Sequence, residues 1–131
     1  MDNILDVVKE WQEYAEMDLA SARYLLNMRP APLEIIAYHC QQCAEKYIKS
    51  YLVYKDREVQ KIHDLVKLCK QCAEFEKEFL TIEHKCAVLF PYATDTRYPG
   101  QKIDLTDTEI ELAFKYVDDI KEFVLNMIGT K

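Results

Sequence analysis

The stretch that decides the fold is YHCQQCAEKYIKSYL, Tyr38 to Leu52, inside a longer helix predicted from about Leu33 to about Lys55. Leu33, Ile36, Ala37, Cys40, Ala44, Tyr47, Ile48 and Tyr51 recur every three or four residues, which gathers them into one apolar stripe along an α-helix. A second stripe is polar. His39, Gln42, Lys46 and Lys49 are spaced three, four and three apart, so an imidazole, an amide and two ammonium groups share a face, and Glu45 stands one turn before Lys49, placed to pair with it. Such a row with one carboxylate suits a phosphate or an acidic partner surface. It is equally the pattern of a solvated helix face with an ordinary Glu–Lys pair.

Outward from that helix the same period continues. From about Asp2 to about Met28, Ile4, Val8, Trp11, Ala15, Leu19, Ala22, Leu25 and Leu26 form a stripe that Arg29-Pro30-Ala31-Pro32 ends, because a proline disfavours helix in the residue before it. Two long helices with so tight a linker make an antiparallel hairpin whose arms are roughly 35 Å long at about 1.5 Å per residue. Trp11 is expected to be a core anchor, and Asp18, seven residues on, lies near its face. After a polar connection over 56–61, His63 and Asp64 open a third helix with Leu65, Leu68, Cys69, Cys72 and Phe75 inward; Asp64 suits a first turn by charge. Thr81 is placed to cap a short fourth helix carrying Ile82, Val88, Leu89 and Phe90. Residues 91–104, PYATDTRYPGQKID, lack helical periodicity and read as a loop, in which Tyr92, Arg97, Tyr98 and Lys102 present aromatic and cationic groups. Thr106 with Glu109 is a capping box, Leu105 with Ile110 a hydrophobic staple, and Ala113, Val117, Ile120, Val124 and Ile128 carry the last stripe to Gly129.

The expected fold class is therefore all-α, an up-and-down bundle of four to five helices, in a single domain over 1–131. Two glycines and four prolines leave few turn formers, and no apolar run approaches the eighteen or so residues that span a bilayer, so no membrane association is expected. A net charge of −6 excludes a protein that coats nucleic acid by bulk attraction, while leaving room for a local basic groove. Five cysteines and no secretory signal point to reduced thiols and a cytoplasmic location. Cys40-Gln-Gln-Cys43 and Cys69-Lys-Gln-Cys72 have zinc-like spacing, but both fall within helical periodicity without the turn chemistry of a zinc knuckle. Cys40, Cys69 and Cys72 also fall on apolar stripes, where free cysteine acts as a small hydrophobe, so neither a metal nor a cofactor is expected.

Trp11, Ala15, Asp18, Leu19, Ala22 and Leu25, then QQCAEKYIKSYL, then Ile62-His63-Asp64-Leu65, then Thr96-Arg97-Tyr98-Pro99 before a final helix, together resemble the HEPN domain of prokaryotes and some higher eukaryotes over nearly the whole chain. The resemblance implies a helical bundle, commonly a homodimer, often the partner of a small nucleotidyltransferase in a toxin–antitoxin-like pair, with a role in binding nucleotides or RNA. The positions matching the family's polar signature are Gln42, Glu45, Lys46, Lys49, His63, Asp64, Arg97 and Tyr98. Toxin-type members carry an Arg followed after four to six residues by a His, the mark of a metal-independent ribonuclease. Here Lys102, Ile103 and Asp104 occupy those distances from Arg97, and no histidine follows His84. Arg57 and His63 have the spacing, but in the wrong part of the chain. The expected function is thus a non-catalytic nucleotide- or RNA-binding module; the alternative is an endoribonuclease with Arg97 and His63 as its catalytic pair.

Overall fold

The structure is a computed structural model that describes residues 3–93 and 104–129. Five α-helices and two 3₁₀ turns make up the described chain, and no strand occurs in it: α1 (Ile4–Leu25), α2 (Leu33–Tyr54), α3 (Leu65–Ala73), a 3₁₀ turn (Lys77–Ile82), α4 (Glu83–Leu89), a second 3₁₀ turn (Phe90–Ala93) and α5 (Asp107–Ile128). The all-α bundle expected from periodicity is what forms.

Local chemistry sets the boundaries. Asn3 accepts from the amide of Asp6 at 2.9 Å and caps α1. At the other end α1 stops three residues short of the expected Met28, and the Arg29 guanidinium donates to the carbonyls of Leu26 (2.7 Å) and Met28 (2.8 Å), groups that a continuing helix would have satisfied. Asp64 is the N-cap of α3 rather than part of its first turn, accepting from the amide of Lys67 at 3.0 Å. The capping box at Thr106 is complete in both directions, and Leu105 packs against the core beside buried Ile110. Thr81 does not cap α4. It lies inside the first 3₁₀ turn with its hydroxyl donating to Glu78 O at 2.7 Å, the local backbone bond that threonine readily makes.

Of the three 22-residue helices, α1 runs antiparallel to both α2 and α5, which therefore run parallel to one another. Trp11 meets Lys49, Glu16 meets Tyr47 and Asp18 meets Lys46, so contacts step backwards along α2 as they advance along α1. Glu16 with Lys121 and Arg23 with Asp118 set α5 antiparallel to α1 in the same way. α2 is the central stave and packs against α1, α3 and α5. Its apolar stripe is buried from Ile36 to Tyr51, with Leu33 partly buried at its start, and Val8, Ala15, Leu19 and Ala22 of α1 and the stripe of α5 from Ile110 to Ile128 are buried too. Tyr51 and Phe79 pack with centroids 4.5 Å apart, and Phe79 meets Phe123 edge-on at 4.9 Å, which ties the short helices to α2 and α5.

Some apolar positions stay outside. Ile4 and Leu26, at the two ends of α1, are more than one-third exposed. Phe75 follows the end of α3, so it leaves the inward face and lies on the surface, with the Arg57 guanidinium 5.8 Å from its ring centre. Phe90 is likewise exposed, where α4 gives way to the 3₁₀ turn.

All five cysteines are free and buried. Burial is the largest cause raising the thiols of Cys40, Cys43 and Cys72; that of Cys40 is pushed up to about 12, with the Asp118 carboxylate adding to the effect. Among the described residues no group of three or more His, Cys, Asp or Glu is placed to hold a metal ion, and no helix is long and apolar enough to cross a membrane. The native protein at pH 8 is expected to react with an aromatic disulfide reagent at well under one-tenth of the rate of its unfolded chain, with all five thiols titrating once guanidinium is added, because only the accessible thiolate is nucleophilic. Rapid labelling of the folded protein would contradict this burial.

Candidate functional site

The polar row of α2 meets α1 on one side and the entry to α3 on the other. It is not a solvated face. Gln41 is fully buried, Glu45 is 3% exposed, Lys49 5% and Gln42 9%. Polar groups at that depth require partners, and they find them in one continuous network.

Glu45 is one of its two hubs. Oε2 accepts from Lys49 Nζ at 2.9 Å, while Oε1 accepts from Gln41 Nε2 at 3.1 Å and from His63 Nδ1 at 3.0 Å. Gln42 adds a longer contact to Oε1 at 3.4 Å and donates to Gln41 Oε1 at 2.7 Å. Gln41 also reaches His63 O at 3.4 Å, which holds the connection from α2 to α3 against the middle of α2. The Lys49 ammonium lies 5.8 Å from the centre of the Trp11 ring, a cation–π position supplied by α1.

Asp18 of α1 is the second hub. Its carboxylate binds Lys46 through Oδ2 and accepts from His39 Nδ1 at 2.9 Å through Oδ1, and Lys46 leads back to Gln42 Oε1 at 3.5 Å. The two hubs repeat one another: each carboxylate holds one lysine and one histidine. Because a carboxylate only accepts, both imidazoles carry their proton on Nδ1 when neutral, and Nε2 is the nitrogen left to accept from another group. The His63 side chain is 60% exposed and that of His39 25%, so His63 presents the more open ring.

Of the residues expected to form the site, Gln42, Glu45, Lys46, Lys49 and His63 converge, and Asp64 stands beside them in its capping role. Arg97 and Tyr98 lie outside the described residues, as do Thr96, Pro99 and Lys102. Arg57 forms an ion pair with Glu74 at 2.7 Å, so its spacing to His63 has no counterpart in the network. The sequence reading did not include Gln41, although it stands four before Glu45, nor Asp18 as a hub, although its seven-residue spacing from Trp11 placed it on the right face. Trp11 is half-buried rather than a core anchor, and with Glu10, Tyr14 and Lys46 it lines a cleft of about 270 Å³.

The HEPN domain family model matches residues 8–127, a span that includes both hubs and every helix that contributes to the network. The chain belongs to the HEPN domain family. Its fold is similar to that in a crystal structure of ST0689, an archaeal HEPN homologue, with a TM-score of 0.71 at 24% identity over 92% of this chain and 97% of that one. Comparison with curated proteins returns no match. The family is one of nucleotide-binding or ribonuclease-like helical domains, and in this HEPN domain the signature residues of α2 are built into the bundle rather than laid on its surface.

Charge balance separates the two lysines. Lys49 is enclosed with Glu45, and removing one member of a buried pair leaves the other charge without compensation. Lys49→Ala is expected to lower stability by about 3 kcal/mol, whereas Glu74→Ala, which breaks a largely exposed pair with Arg57, costs under about 1 kcal/mol. Urea unfolding monitored by circular dichroism reads both; equal midpoints for the two variants would show that the Glu45–Lys49 pair is not structural.

Proposed function

We propose that this HEPN domain is a cytoplasmic, non-catalytic nucleotide- or RNA-binding module that acts as a homodimer and as the partner of a small nucleotidyltransferase, in the manner of a toxin–antitoxin pair. The observation that carries the binding reading is the position of Lys46. Of the two lysines in the polar row it is the one that reaches solvent, with 24% of its side chain exposed at the mouth of the Trp11 cleft, and a lysine bound to one carboxylate keeps donors for a phosphate oxygen. His63, held by Glu45 in a single tautomer, supplies a second ligand contact, and Arg97 with Tyr98, from the family motif, supplies the cationic and aromatic groups beyond the described residues. Sequence favours binding over cleavage, since the Arg-to-His pair of toxin-type members is incomplete here. For the homodimer, Met17 and Tyr24 on α1, with Met28 just beyond its end, are large apolar side chains left exposed in the monomer.

One observation favours the ribonuclease reading: a carboxylate-held, solvent-open imidazole is the arrangement of a general acid or base, and Arg97 would then stabilise the developing phosphorane charge. The two readings separate in one experiment. With ATP and a short labelled RNA, Lys46→Ala and Arg97→Ala are each expected to weaken binding by about tenfold or more with helicity retained, the RNA being recovered intact after incubation. Equal affinity in wild type and both variants would remove this site; RNA cut by wild type but not by His63→Ala would replace the binding module with the nuclease.

A further inference from the structure

Four side chains line the cleft between α1 and α2: Glu10, Trp11, Tyr14 and Lys46. Trp11 and Tyr14 stand one turn apart on α1, and so do Glu10 and Tyr14, which puts two aromatic rings and a carboxylate on one edge of the helix, facing the Lys46 ammonium of α2. Tyr14 is 56% exposed, an aromatic side chain left in water beside an open cavity. At about 270 Å³ the cleft lies at the small end of ligand sites, which run from roughly 300 Å³ upward, so it suits a fragment the size of one nucleotide base and its sugar.

We infer that this cleft is a nucleobase-stacking subsite, taking one base with an exocyclic amino group between Trp11, Tyr14 and the Glu10 carboxylate, its phosphate directed to Lys46. The inference rests on the binding reading of Lys46 above and adds to it the class of ligand and the place of its base. Charge decides among the alternatives. A cationic ligand would meet two ammonium groups, Lys46 on the rim and Lys49 already against the indole. A bare anion would meet Glu10, and the one lysine open to it is balanced by Asp18. A neutral planar ring with a donor on one edge and an anionic tail satisfies all four residues at once, since every base has a face to stack and amino-bearing bases donate to carboxylates. Guanine, with adjacent ring and exocyclic N–H groups, can donate twice to Glu10; uracil has no exocyclic amine.

Trp11 is the chain's one tryptophan and therefore reports its own site. Titration of the full chain with GMP is expected to quench its emission saturably, UMP to bind more weakly, and ribose 5-phosphate and inorganic phosphate to leave the emission unchanged. Tyr14→Ala, at an exposed position, is expected to raise the Kd for GMP about tenfold with helicity unchanged, and Glu10→Gln to bring the GMP and UMP affinities towards each other. Calorimetric binding of nucleotide without a change in Trp11 emission, and with Tyr14→Ala within twofold of wild type, would overturn the subsite while leaving the binding module intact. No calorimetric binding of nucleotide or RNA would overturn both. A quench reproduced by inorganic phosphate, or by arginine amide in place of nucleotides, would assign the cleft to an anion or a cationic partner and overturn the base.

Discussion

A carboxylate buried to 3% exposure in the middle of the central helix is the constraint on which the rest of this structure depends. Moving an ionised carboxylate out of water costs several kcal/mol, and attraction to one lysine repays that only when its remaining lone pairs are also used. Glu45 meets the condition with donors from two elements: Lys49, Gln41 and Gln42 from α2 itself, and His63 from the connection that leads into α3. The path of residues 55–64 is thereby set by polar chemistry, since His63 must return to the level of Gln41 and Glu45 before α3 can begin.

The apolar stripes bring α1, α2 and α5 together, but hydrophobic attraction is non-directional and tolerates sliding and rotation of one helix on another. The polar contacts do not. Asp18 binds both His39 and Lys46, residues two turns apart on α2, which admits one register of α1 against α2. Tyr47 and Lys121 both engage Glu16, and that pair of contacts does the same for α1 between α2 and α5. Burial is the first cause that pushes the Tyr47 hydroxyl up, and its bond to the Glu16 carboxylate adds to it, so the phenol stays a donor across the physiological range. Buried polar contacts that specify a register are a known use of groups that contribute little net stability, and the hubs of this HEPN domain have that form.

The same network limits what the site can offer a ligand. Two lysines and two carboxylates cancel, so the described residues hold little surplus positive charge in a chain of net charge −6. Recognition there rests on directed contacts, a lysine donor, an imidazole nitrogen and aromatic faces, rather than on attraction of a polyanion at a distance.

Sequence determined the helices themselves. A 3.6-residue period through α2 and α5, the proline-rich stop after α1 and the Thr106–Glu109 box are local signals, and each is answered within a turn or two of where it is written. It determined the Glu45–Lys49 pair too, because four residues on a helix are neighbours whatever lies around them. Spacing within one helix does not contain depth. That a polar row is enclosed instead of solvated, that Asp18 rather than Glu45 receives Lys46, and that Trp11 walls a cleft instead of filling the core were decided by which helices pack over α2 and in what register. Asp18 and Lys46 alone stand 28 positions apart in the chain, and only the tertiary structure brings such residues together.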